Sequence, residues 1–247
     1  MTVAVASSKP IHDTHRVAVD GAVDADGHIL EPPDLWEQYI DPKFRDRALR
    51  IVIDEQGLEE LEIGGKRSMM SRRGFPSTLG AMGAPDLGAM QKDPARTYLR
   101  EAPYGSMHPG ERIDLLDAEH IDIAILYTTV GLLWEAEVDD PALAQAYTTA
   151  YNRWICEFCA GEPRLVPTAH LSLSDPVAAA AELERAVGEG ARGGYVAPFT
   201  HDGRPLGHPA NDPVFAAAQD LDVPLAIHPT FEPQWTKGTR MGPWEHV

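Results

Sequence analysis

From about residue 110 onward the apolar positions fall into two alternating rhythms. Residues 110–119 place Ile113, Leu115, Leu116 and Ala118 on one helical face, and residues 121–130 carry the nearly continuous apolar run of a strand buried on both sides. The alternation then repeats. Helices are predicted over 141–160, 176–189 and 213–221, and strands over 164–171, 193–198 and 223–228. Nearer the N-terminus, residues 16–19 and 22–25 read as short strand material running into Asp26-Gly27-His28, and Leu35, Tyr39 and Ile40 give a short helix behind Pro32-Pro33. Two β-rich runs, 49–53 and 59–63, flank Asp54-Glu55-Gln56-Gly57 as a hairpin with a long loop.

Strand and helix in alternation predict parallel α/β architecture, either an open doubly wound sheet or a (β/α)8 TIM-type barrel. No Gly-rich phosphate loop follows the first strand, so a nucleotide-binding fold gains no support. A barrel sets its chemistry at the C-terminal ends of its strands. Polar residues fall at those places: Asp26 and His28 on the first strand, Thr128 and Thr129 on the second, His170 on the third and His228 on the fifth. The expected organisation is a mobile leader at 1–20 and one domain over 21–247, with an insertion after the first strand at about 49–110. Within it, residues 64–110 are rich in Gly, Pro, Met and Ser, and read equally as a substrate-facing lid and as a disordered surface loop.

Composition narrows the partners. The 247 residues, 43% of them hydrophobic, suffice for a sizeable core, and a formal net charge of -17 leaves no basic stripe for phosphate backbones. A small-molecule substrate is expected, without nucleic acid or membrane. No apolar run approaches the roughly 20 residues that span a bilayer, and the leader lacks a signal peptide's apolar core, so a cytoplasmic location is expected. The two cysteines, Cys156 and Cys159, form a CxxC late in a helical pattern without a second Cys pair or a preceding strand. Buried packing is the stronger reading there, ahead of a redox pair or half a zinc site.

Alternate side chains of a strand share a face, so Asp24, Asp26 and His28 point one way, as ligands of one ion would, although the same residues beside a Gly also build an Asx turn. His228 closes Pro224-Leu-Ala-Ile-His-Pro229, a run with nothing else polar. Alone it reads as a core histidine bonded to a carbonyl; with Asp26 and His28 it becomes a third donor. One carboxylate oxygen and two imidazole nitrogens suit Zn, Mn or Fe with positions left open. His170 reads as a pocket residue or as a core imidazole. Glu31 is either a group that orients a ligand or a helix-leading acid, and Lys66, Arg72 and Arg73 either meet a substrate carboxylate or are solvated bases. Trp36 and Tyr39 read as packing.

The runs Val23-Asp-Ala-Asp-Gly-His-Ile-Leu-Glu-Pro-Pro, Asp122-Ile-Ala-Ile-Leu-Tyr and Val223-Pro-Leu-Ala-Ile-His-Pro resemble the amidohydrolase superfamily. They are most similar to the family 2 group that includes aminocarboxymuconate semialdehyde decarboxylase and the resorcylate and carboxyvanillate decarboxylases. The resemblance implies a distorted (β/α)8 barrel with one divalent metal, Zn or Mn, acting on a small carboxylic-acid or aromatic substrate by hydrolysis or decarboxylation. By resemblance Asp26 stands where the family has its first His or Glu ligand, His28 at the second ligand and His228 at the third. Asp24 precedes that pair and takes a supporting role. Residues 193–198 lack the Lys that bridges two metals in dinuclear branches, which implies a single ion.

The family's catalytic His on the sixth strand and metal-binding Asp on the eighth have no counterpart before Val247, since His246 stands too near His228. About five of eight strands are therefore expected, with the catalytic base beyond Val247. Two readings stay open: a piece of a longer enzyme, homo-oligomeric at full length, or a natural fragment that a partner completes. Either is expected to be inactive alone. The rival from another class is a non-catalytic α/β scaffold or interaction subunit.

Overall fold

Asp at the cap and Pro at the first helical position open two long helices in the same way. Asp140 accepts the N–H groups of Ala142 and Leu143 at the head of one, and Asp175 those of Val177 and Ala178 at the head of the other. The computed structural model describes residues 14–81 and 84–233. In chain order the elements begin with strand β1 (Val23–His28), helix α1 (Leu35–Tyr39), and the antiparallel strands β2 (Arg50–Ile53), β3 (Glu59–Ile63) and β4 (Lys66–Arg67). Short helices α2 (Leu87–Met90) and α3 (Tyr98–Glu101) precede α4 (Pro109–Glu119) and β5 (Ile123–Tyr127). Then come α5 (Pro141–Cys159), β6 (Leu165–Pro167), β7 (Ala169–Leu171), α6 (Pro176–Glu189), β8 (Gly194–Val196), α7 (Asp212–Asp220) and β9 (Leu225–Ile227).

The result is a mixed α/β fold with parallel sheets. Strands β1, β5 and β6 form one parallel sheet and β7, β8 and β9 another. The third strand expected from the sequence is interrupted at Thr168, which divides it into β6 and β7. Pairing crosses the break, because Pro167 O accepts from Arg192 N–H at 3.0 Å and Gly193 O accepts from Ala169 N–H at 2.9 Å. Asn152 of α5 clamps the far side: its amide donates to His170 O at 3.0 Å and accepts from His170 N at 2.7 Å. Buried Glu182 of α6 holds that amide in turn, at 2.8 Å, and also accepts from Thr149 and Arg185.

The apolar faces predicted for the helices are buried. Leu143, Tyr147, Tyr151, Trp154 and Ile155 of α5 join Trp36 and Trp134 in the larger core cluster, while Leu183 of α6 and Val214 of α7 pack with Leu171 and Val196 in the smaller one. Cys156 and Cys159 are free and buried in these layers. The 49–53 and 59–63 hairpin forms as expected, with β4 added at its edge. Part of the Gly- and Pro-rich stretch folds onto the core: Tyr98 is buried and its hydroxyl donates to Glu31 O at 2.8 Å.

Residues 16–19 form no strand; Val17 N–H instead donates to Glu119 O at 2.8 Å behind α4. The first 13 residues of the leader, and His246, lie outside the described residues. No described helix is long and apolar enough to cross a membrane.

Candidate metal centre

The site begins with an irregularity in β1. Its register against β5 runs Val23 to Ile123 and Asp24 to Ala124, then resumes with Gly27 opposite Leu126 and His28 opposite Tyr127. A bulge of this kind re-aims side chains. The alternation that would send Asp24, Asp26 and His28 the same way therefore does not carry through. Asp24 turns to Arg112, its Oδ2 3.6 Å from that guanidinium, while Asp26 and His28 turn toward His228 just beyond β9.

Asp26, His28 and His228 bring one carboxylate oxygen and two imidazole nitrogens within 4.8 Å of one another. His228 Nε2 stands 3.1 Å from Asp26 Oδ1 and His28 Nε2 3.7 Å from the same oxygen, with the two imidazole rings nearly perpendicular at 5.2 Å. Backbone carbonyls fix the tautomers, because a carbonyl only accepts. His28 Nδ1–H donates to Thr128 O at 2.6 Å and His228 Nδ1–H to Pro229 O at 2.7 Å. Both Nε2 lone pairs are thereby directed at a carboxylate oxygen. Three electron-rich atoms in that arrangement repel unless a proton or a cation lies among them. A two-nitrogen, one-oxygen donor set fits a divalent ion such as Zn2+ or Mn2+.

Burial holds the His28 imidazole below its usual pKa, and His228 across the site adds to this, while the Thr128 carbonyl, Asp26 and Asp24 pull the other way. A depressed pKa keeps the ring neutral, the form that ligates metal.

The loop that supplies Thr128 O is itself held by Glu31. Fully buried, Glu31 accepts from the Thr128 hydroxyl and from Thr129 N at 3.1 Å, Val130 N at 2.9 Å and Gly131 N at 3.0 Å. Burial pushes its carboxyl up to about 7, against the pull of those N–H donors. Glu31 is thus not a helix-leading acid: it closes the turn after β5, some hundred residues away, on which His28 depends. Nothing in its local sequence signals that.

His170 lies in the core, not on the cavity wall beside His28. Its Nε2 is 2.5 Å from Glu135 Oε1, its ring stacks on Tyr195 at 4.5 Å and 18°, and its Nδ1 has no hydrogen-bond partner among the described residues. Tyr195 also faces His228, with ring centroids 5.7 Å apart. Of the bases in the insertion, Arg73 is bound to Asp54 (Nε to Oδ2, 2.6 Å), and neither Lys66 nor Arg72 lines the cavity. Trp36 is buried in the core, and the Tyr39 hydroxyl donates to Glu157 at 2.5 Å.

The cavity next to His28 has a volume of about 610 Å³ and is walled mainly by apolar groups, including Phe75, Leu133, Tyr104 and Phe231, with Thr129 beside His28. Phe75 comes from the Gly- and Pro-rich insertion, and its ring lies 5.7 Å from that of Phe231. Concave, apolar and of this size, it suits one small molecule.

The amidohydrolase family profile matches residues 23–245, a span that takes in all three donors. The chain belongs to that family. Solved structures similar to this family member include an amidohydrolase of Mycobacterium avium subsp. paratuberculosis, at 24% identity and a TM-score of 0.71 over 93% of this chain. They also include 2,6-dihydroxybenzoate decarboxylase from Rhizobium, at 22% identity and a TM-score of 0.53 over 92%. A third is 5-carboxyvanillate decarboxylase from Novosphingobium aromaticivorans, solved with bound manganese and 3-methoxy-4-hydroxy-5-nitrobenzoic acid, at 20% identity and a TM-score of 0.57 over 95%. At these identities the likeness is one of fold. This amidohydrolase-family chain spans 64%, 55% and 57% of the lengths of those three. Among curated proteins, none matches its sequence.

Proposed function

We propose that this chain provides the divalent-metal site of an amidohydrolase-family enzyme that acts on a small carboxylic-acid or aromatic substrate, by hydrolysis or decarboxylation. The observation that carries the reading is the convergence of Asp26 Oδ1, His28 Nε2 and His228 Nε2, with both Nδ1 atoms already committed to carbonyls. Asp26, His28 and His228 hold one ion, Zn2+ or Mn2+, with Fe2+ as a further candidate; manganese is present in two of the similar decarboxylases. Such an ion supplies Lewis acidity toward a substrate oxygen or a bound water.

The protein's own contributions are orientation and exclusion of water. Thr128 O and Pro229 O hold the imidazoles in the tautomer that aims Nε2 at the site, and Phe75, Leu133 and Phe231 wall off the space next to His28. In this reading the parallel strands are an arc of a (β/α)8 barrel, and the insertion at about 49–110 lies over its mouth on the substrate side.

Titration of the metal-stripped chain with Zn2+ and Mn2+ tests the site. One ion per chain is expected, with loss of about tenfold or more in affinity on Asp26→Ala and on His228→Ala. No stoichiometric binding would favour the non-catalytic scaffold instead. Carbon dioxide release from hydroxylated benzoates, set against release of alcohol or amine from esters and amides, separates decarboxylation from hydrolysis.

A further inference from the structure

We propose that Arg112 is a positioning residue for the metal donors of β1, acting through Asp24; the inference rests on the three-donor site proposed above. Asp24 uses its two carboxylate oxygens in different directions. Oδ1 accepts from the backbone N–H of Asp26 at 3.3 Å, inside the bulge, and Oδ2 faces Arg112 Nη2 at 3.6 Å. The guanidinium thereby fixes the carboxylate that fixes the Asp26 backbone.

Gly27, between Asp26 and His28, leaves the room for this. A Cβ at that position would stand 2.8 Å from Asp24 Oδ2, 3.1 Å from Arg112 Nη2 and 3.1 Å from Ile125 O. Any other residue pushes Asp24 and Arg112 apart or moves the β1 backbone that carries both donors.

Arg112 is nine-tenths buried on α4, and its Nε has no hydrogen-bond partner among the described residues. A buried guanidinium whose one ion pair is with Asp24 at 3.6 Å, with Glu119 of the same helix adding a further attraction, is a poor way to hold a helix in place, since an apolar side chain of the same volume does so without the desolvation cost. Leu116, fully buried in the core, already anchors α4. What the charge does provide is a fixed counter-ion for Asp24. Without it the carboxylate is free to turn from the bulge and to compete with Asp26 and His28 for a cation.

The test uses the full chain with Mn2+ as the probe, reading affinity by calorimetry, the Mn2+ EPR spectrum of the bound ion, and the urea midpoint of the metal-free protein. Arg112→Met is expected to keep the metal-free midpoint near that of the wild type, to weaken Mn2+ about 10- to 100-fold, and to broaden or shift the EPR spectrum. Arg112→Lys, which retains a cation near Asp24, is expected to recover most of the affinity. Asp24→Asn keeps an oxygen for the Asp26 amide and removes the charge that Arg112 faces; it carries the test if Arg112→Met does not fold, with a loss of about tenfold expected.

Wild-type affinity and spectrum in a folded Arg112→Met, or in Asp24→Asn, overturns the inference. So does an affinity loss that follows the metal-free midpoint down in proportion. A wild-type chain that binds no divalent ion overturns the site and this inference with it, whereas wild-type binding with an unaltered Arg112→Met overturns this inference alone.

Discussion

Asn152→Ala is expected to be among the most damaging single substitutions in the chain, although Asn152 touches neither the cavity nor the metal donors. Its side chain satisfies the backbone N–H and C=O of His170 at 2.7 and 3.0 Å, on the side of β7 where β5 has already ended, and it gives Glu182 one of its donors at 2.8 Å. Truncation leaves two buried backbone groups unpaired, at about 1–3 kcal/mol each, and weakens a third contact to a carboxylate that still has Thr149 and Arg185. A loss of about 3–5 kcal/mol follows, a large share of the 5–15 kcal/mol typical of a domain. With a urea m-value of about 2–3 kcal/mol/M, the midpoint of the metal-free protein should fall by about 1–2 M, read by far-UV circular dichroism. Asn152→Leu fills the space and excludes water, so it should cost as much or more. A loss below about 1 kcal/mol in both variants would refute the reasoning, because it would mean that the His170 backbone needs no partner there.

Glu31 predicts a pH dependence. With its carboxyl pushed up to about 7 by burial, the folded chain binds a proton that the unfolded chain has released above its model value of 4.5. That stabilisation is complete below 4.5 and is lost as pH rises through about 7, so unfolding free energy relative to Glu31→Gln should fall by about 3 kcal/mol across the window; a difference that is flat or rises with pH would show that the N–H donors outweigh burial. Burial pushes the Cys156 thiol up to about 11 and raises Cys159 as well, so a disulfide reagent at pH 8 should label neither cysteine in the native chain and both in urea; fast native labelling would reopen a redox role. Zn2+ or Mn2+ at about 100 times its dissociation constant should raise unfolding free energy by about 2.7 kcal/mol, and the melting temperature by about 5–10 °C, reversibly on chelation. In His228→Ala the same addition should shift the melting temperature by less than about 2 °C, and a full shift there would remove His228 from the donor set.

The amino-acid sequence by itself determined the order and kind of the elements after residue 110, and the identity of the groups that bear the chemistry. The helix over 176–189 was legible to the residue because Asp175 directly precedes it, Pro176 opens it and its apolar stripe runs along it. Asp26, His28 and His228 stood out because each is a ligand-type side chain at the end of an apolar run, and the family pattern supplied their grouping.

Only the tertiary structure decided how those groups are aimed. The β1 bulge that parts Asp24 from Asp26, the break at Thr168, the cradle of Glu31 in the turn after β5, the clamp of Asn152 on His170 and the pairing of Arg112 with Asp24 all depend on contacts across the fold. Periodicity and capping are properties of neighbours along the chain, which a single sequence displays. A buried polar group takes whichever partner the packing brings to it, 18 residues away for Asn152 and His170 and 99 for Glu31 and Val130, and no local pattern records that choice.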